Sequence, residues 1–250
     1  MLINYINKNK TGLKVAFLLS CFMTISAFAQ QKPKKEKVVL KNADLVERYP
    51  DRFEGNQILT GNVVIEYKGD VITADSAVLY RDKNLAVVWS NARLVSKDKT
   101  ITAHKMEYDG NTTIAKAFKD VVLTDPSSRI TADYMDYNRT TEIATGIGKV
   151  EVKTPTQQIS SEKMIYERLT GNIIVNDTYK TIGSDGALVE GRNVVYNVKS
   201  KSANFGSEVF ITNKDYTIYS RKMTTNDITG ITTFRDYSKI TRRNDPSQYI

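Results

Sequence analysis

Thiol and imidazole groups are nearly absent from this sequence: its 250 residues hold one cysteine and one histidine. The cysteine, Cys21, lies inside an N-terminal apolar stretch. The rest of the chain therefore has no disulfide, and its stability must come from burial and backbone pairing. No Cys/His metal spacing, nucleophile elbow or phosphate-binding glycine loop occurs, so metal, acyl-transfer and nucleotide chemistry lack their usual residues. A charge excess is also missing where it would matter. The net charge is +8, but residues 1–37 hold seven of the 36 basic residues and one of the 28 acidic ones. That leaves 29 against 27, close to neutral, which argues against a nucleic-acid-binding surface. Finally, no apolar run reaches the roughly 20 residues a membrane-spanning helix needs.

The first 29 residues have the layout of a secretory signal. Lys8, Lys10 and Lys14 precede the apolar run Val15 to Phe28, and Ala27-Phe28-Ala29 is a small-x-small cleavage site. Cys21, in Leu18-Leu19-Ser20-Cys21, partly resembles a lipoprotein acylation site. The residues after it stay apolar, however, so it reads as an ordinary signal-peptide cysteine. Residues 30–37, with Lys32-Pro33-Lys34-Lys35, read as a basic linker, 38–240 as the folded domain, and 241–250 as a polar tail.

What the domain does have is a period. Ile72-Thr73-Ala74-Asp75 returns as Ile101-Thr102-Ala103-His104 and Ile130-Thr131-Ala132-Asp133, then more loosely from Ile159, Val189 and Ile218, at spacings of 29, 29, 29, 30 and 29. A fixed period of this size marks stacked units that bury their apolar faces against one another. Seven residues before each anchor stands a second apolar column: Ile65, Leu94, Leu123, Val152, Ile182, Ile211. Turn chemistry separates the two columns, as in Lys68-Gly69-Asp70 and Thr154-Pro155-Thr156. After each anchor a strand runs to an aromatic: Tyr80, Tyr108, Tyr137, Tyr166, Tyr196, with Thr225 breaking the series. The pattern predicts an all-β fold of about six stacked two-strand repeats of 29 residues, one strand on each of two facing walls.

Recurrent Ile-x-Ala-Asp, each followed by an aromatic and by Gly-Asn-Val-like strands (Gly61-Asn62-Val63, Gly148-Lys149-Val150), behind a secretory signal, resembles the OstA-like or LptA family of periplasmic lipopolysaccharide-transport proteins. The resemblance extends from about Leu40 to about Ile240. It implies a taco-like β-jellyroll with an open seam, a periplasmic location, and carriage of lipopolysaccharide from inner to outer membrane with no enzymatic step or cofactor. The family's LptC-like component and the N-terminal domain of its LptD-like component are alternatives within the pathway. Inner- and outer-membrane transport components are the implied partners.

A lipid carrier needs apolar side chains that acyl tails can reach. The columns supply candidates: Ile65, Ile72, Ala74, Leu94, Ile101, Ala103, Leu123, Ile130, Ala132, Val152, Ile159, Ile182, Val189, Ile211 and Ile218. Burying about a dozen methylenes, at about 0.8 kcal/mol each, contributes about 10 kcal/mol before ordering costs. The same columns would equally form the core of a closed roll, and that reading stays open here. The strand edges at the two ends suit head-to-tail pairing of copies. A polysaccharide-active β-solenoid is the enzymatic alternative, resting on the recurrent acids Asp75, Asp133 and Glu162. A periodic acid ladder is equally what stacked turn residues produce.

Overall fold

The computed structural model describes residues 36–183 and 186–245. The expected leader, Cys21 and the last residues of the expected tail lie outside them. The described residues form sixteen strands: β1 (Val39–Asn42), β2 (Leu45–Arg48), β3 (Gln57–Tyr67), β4 (Asp70–Tyr80), β5 (Leu85–Ser96), β6 (Lys99–Asp109), β7 (Ile114–Thr124), β8 (Arg129–Asn138), β9 (Ile143–Lys153), β10 (Gln158–Glu167), β11 (Asn172–Ile182), β12 (Leu188–Asn197), β13 (Ser202–Phe205), β14 (Val209–Thr212), β15 (Tyr216–Asn226) and β16 (Ile231–Arg242). All pairings are antiparallel, and β3 to β12 follow one another as one long meander. At its start β1 and β2 both pair with β3, and β13 and β14 both lie between β12 and β15. The all-β fold read from the period, and the jellyroll that the resemblance implies, are the fold observed.

The sheet is not flat, because the strands carry corners in mid-course. Left-handed residue pairs sit at Gly61-Asn62, Ser90-Asn91, Lys119-Asp120 and Gly148-Lys149, each 29 residues after the last. Pairing skips at each of these points, as between Trp89 and Ala92 against β6. A bulge of this kind bends its strand and raises its twist. The corner corrects one expectation. Each long strand runs through both walls and changes wall at the corner, where β3, β5, β7 and β9 carry the bulge, instead of belonging to one wall and turning at its end.

Alternation on either side of the corners sends one set of side chains inward. The core is a single cluster that includes Ile65, Ile72, Leu94, Ile101, Met106, Leu123 and Met135, all at most 1% exposed. Outward positions on the same strands carry Thr73, Arg93, Thr102, Val122 and Thr131, which are half-buried or exposed.

Candidate functional site

On the first wall, cross-strand pairing strings the anchor residues and the preceding column into one row. It runs Leu40, Ile65, Ile72, Leu94, Ile101, Leu123, Ile130, Val152 and Ile159, each directly opposite the next. It continues through Thr181, Val189, Ile211, Ile218 and Ile240. Ile182 is outside this row. Thr181 holds the inward place, and Ile182 points out with 49% of its surface exposed. The extra residue of the single 30-residue period falls in the turn between β11 and β12, so counting back seven from Val189 lands one residue too late. Ala74, Ala103 and Ala132 form a second buried row beside the first, with Val63, Ala92 and Val121 opposite them. Val189, Ile211 and Ile218 lie toward the C-terminal end and are only half-buried.

The facing wall holds two further rows. One alternates large and small: Leu79, Ala86, Tyr108, Ala115, Tyr137, Ala144, Tyr166, Ile173, Tyr196, Ala203. Leu79, not Tyr80, begins it. Tyr80 stands eight residues after its anchor where the later tyrosines stand seven, so its ring faces outward, 5.3 Å from the Lys83 ammonium. The other row was missed in the sequence, although its signal is regular. Five residues after each anchor come Ala77, Met106, Met135, Met164, Val194 and Met223, all at most 2% exposed. Methionine suits such a lining because its unbranched thioether adapts to irregular partners.

The acids that drew attention in the sequence stand elsewhere. Asp75, Asp133, Glu162 and His104 are exposed at the corners. The Asn91 amide donates to Asp75 at 2.8 Å, and Asn62 donates to Asp44 at 2.8 Å, bracing the left-handed turn from the neighbouring strand. Among the described residues no group of three or more His, Cys, Asp or Glu is placed to hold a metal ion. Asp75 is a corner brace.

Opposite the corners, the two turn-bearing edges of the sheet meet in a seam. Contacts across it come from side chains. Asp70 forms an ion pair with Arg139 at 2.7 Å and accepts a hydrogen bond from Tyr108 at 3.2 Å, and Tyr67 donates to the Gly110 carbonyl at 2.7 Å. Arg168 grips Asp98 with two nitrogens, at 2.7 and 3.1 Å. Glu142 accepts from Lys97 at 3.0 Å and lies 3.5 Å from the buried Lys99 ammonium. Further along, Tyr166 donates to Asp125 at 2.8 Å, and Thr156 donates to Asp227 at 2.8 Å. The open seam that the resemblance implied is thus bridged along its length.

Burial governs the electrostatics here. It pushes the Tyr108 and Tyr137 hydroxyls up and the Lys99 ammonium down. Burial also raises Glu142, but hydrogen bonds from Lys97 and Arg168 and the charge of Lys99 outweigh it, leaving a value of about 2.

Residues 35–182 match the model of a family described as OstA-like protein. The chain belongs to the OstA-like family. Among solved structures, this OstA-like chain is similar to the crystal structure of LptH, the LptA homologous periplasmic component of the lipopolysaccharide transport device from Pseudomonas aeruginosa. Identity is 13%, the match covers 57% of this chain and 93% of that one, and the TM-score is 0.27. No curated protein matches the OstA-like chain. The regular architecture lapses on both sides of residue 182, where the family match ends. Beyond Lys149 the left-handed pairs cease to recur at 29 residues, and the strand between β12 and β15 is broken at Gly206 to Glu208. A cleft of about 830 Å³, with Val150, Tyr179, Gly191 and Phe210 in its lining, lies in this irregular part.

Proposed function

We propose that this OstA-like protein is a periplasmic carrier and bridge for lipopolysaccharide, holding acyl chains between its two walls as they pass from inner to outer membrane. The observation that carries the reading is the continuity of the apolar rows. They run strand to strand from β1 to β16, as a path for a chain molecule requires, and the roll is closed at its seam by side chains alone. Family membership supports the same reading, as does the secretory-signal pattern of residues 1–29. The carrier performs no covalent step and needs no cofactor. Its partners are the inner- and outer-membrane components of the transport pathway, and further copies of the chain joined head to tail.

The irregular part beyond residue 182 favours a second placing within the pathway. A segment that departs from the generic coil is suited to one particular partner, as in an LptC-like component or the N-terminal domain of an LptD-like one.

Photocrosslinking residues placed at Ile101, Leu123 and Met106 test the carrier. Lipopolysaccharide adducts are expected from these inward positions and not from outward Thr102. Functional protein that yields no adduct from any inward position removes the proposal.

A further inference from the structure

We infer that acyl chains enter sideways, through the seam, and that the ion pairs Asp70–Arg139 and Asp98–Arg168, with Glu142 between Lys97 and Lys99, are the latch of this lateral portal. The inference rests on the carrier reading and adds to it where the ligand gets in.

The two long borders of the roll are built differently. On the corner side the backbone is continuous from β3 to β12: each strand crosses from one wall to the other there, β3, β5, β7 and β9 through a left-handed bulge, so that border cannot open without unpairing strands. On the seam side the borders are rows of turns. Within one border the turns are tied by backbone bonds, Gly110 to Asn84 at 2.9 Å, Arg139 to Thr113 at 3.0 Å, Arg168 to Glu142 at 3.1 Å and Val198 to Gly171 at 2.9 Å. That border therefore moves as a unit. Between the two borders the contacts are side-chain ones, joining residues 69 or 70 positions apart in the case of Asp70–Arg139 and Asp98–Arg168.

Charge is distributed along the seam unequally. The latch pairs cluster between β3 and β11, whereas the later rungs join a hydroxyl to a carboxylate without a cation, Tyr166 to Asp125 and Thr156 to Asp227. Directly behind the charged rungs lie Tyr108 and Tyr137, whose row faces the Ile101 and Leu123 row on the other wall. Opening the latch uncovers the most regular stretch of both walls. Exposing those rows to water is costly, and an acyl chain laid between them removes that cost. Ligand and opening are therefore coupled: the tail binds only the open state and stabilises it. The cationic halves of the latch, Lys97, Lys99, Arg139 and Arg168, are then left at the lip, where the phosphates of an anionic glycolipid can take the place of the displaced carboxylates.

The test staples the seam. In a Cys21→Ser background, Asp98→Cys with Arg168→Cys is joined by a short bismaleimide. A control staple joins Thr113→Cys to Thr140→Cys, whose hydroxyls are 2.7 Å apart within one border. Uptake of lipid A bearing one fluorescent acyl chain is followed by stopped flow. We expect the seam staple to slow uptake at least tenfold, the unjoined Asp98→Cys/Arg168→Cys protein to load faster than the parent, and the control staple to leave the rate unchanged. Uptake at the parental rate with the seam stapled overturns the portal, because the tail then enters by the ends or the C-terminal cleft. If no form, parent included, takes up the probe, the carrier reading fails, and the portal goes with it. Circular dichroism and the thermal midpoint of each stapled form separate a blocked portal from a misfolded chain.

Discussion

At the scale of single residues, Leu123 and Ile182 make a controlled pair. Both are aliphatic and end a strand just before a turn, yet one is 1% exposed and the other 49%. Truncating a packed aliphatic loses its transfer energy and leaves a cavity, so Leu123→Ala is expected to cost about 2–5 kcal/mol, while Ile182→Ala stays within about 0.5 kcal/mol. Urea midpoints of the two variants measure the contrast, and equal losses would show the row to be misplaced. Gly148 tests the corner in the same way. Its φ is +77°, and a Cβ there would lie 2.7 Å from a carboxylate oxygen of Asp133. Gly148→Ala should therefore destabilise by about 1–3 kcal/mol through left-handed strain and that contact. Adding Asp133→Ala relieves the contact but not the strain, so the double variant should recover part of the loss. Complete recovery would mean that the backbone conformation itself costs nothing.

At the scale of strands and turns, the seam makes stability depend on acid. The folded-state value of Glu142, about 2, lies below its ordinary 4.5. Its pairs with Lys97, Lys99 and Arg168 therefore stabilise the fold fully above about pH 4.5, and that contribution is lost as pH falls through about 2. Asp125 shifts the same way: burial raises it, but donation from Tyr166, Ser127 and Ser128 prevails. Glu142→Gln should be less stable than the parent at pH 7 and have a flatter stability profile between pH 4.5 and 2. A profile as steep as the parent's would assign the acid sensitivity to other groups. Neither seam nor corner could be read from the chain as directly as the rows were. The rows follow from one period and alternation about Ile72, Ile101 and Ile130. The corners need left-handed backbone, which Gly61 and Gly148 announce, but Ser90, Asn91, Lys119 and Asp120 adopt it without any glycine. The seam joins Asp98 to Arg168 across 70 residues, a separation that no local pattern encodes.

At the scale of the whole molecule, the ends decide whether one roll can continue into another. Among the described residues β16 pairs with β15, along ten residues, and ends the sheet. The opposite end is edged by β1 and β2, where Val39, Leu45, Val46 and Phe53 are exposed. Such edges template strand addition unless they are blunted. The C-terminal strand carries Arg235 and Arg242 beside the exposed apolar residues Ile231 and Tyr237. In the head-to-tail bridge proposed above, these two unlike edges would meet in a heterologous contact that extends the inner rows from one molecule into the next. Hydrogen exchange reads the joint directly. In dilute protein, amides of β1, β2 and β16 should exchange fastest among the strands and those of β5 to β8 slowest, since the inner strands are paired on both sides. Raising the concentration should slow exchange at β1, β2 and β16 together, leaving β5 to β8 as they were. Protection at only one of the two ends would point to pairing between like edges, which closes a dimer and cannot build a bridge. Exchange independent of concentration would leave the proposed span to a single copy, about fourteen strand layers at roughly 4.8 Å apart, or on the order of 60 Å.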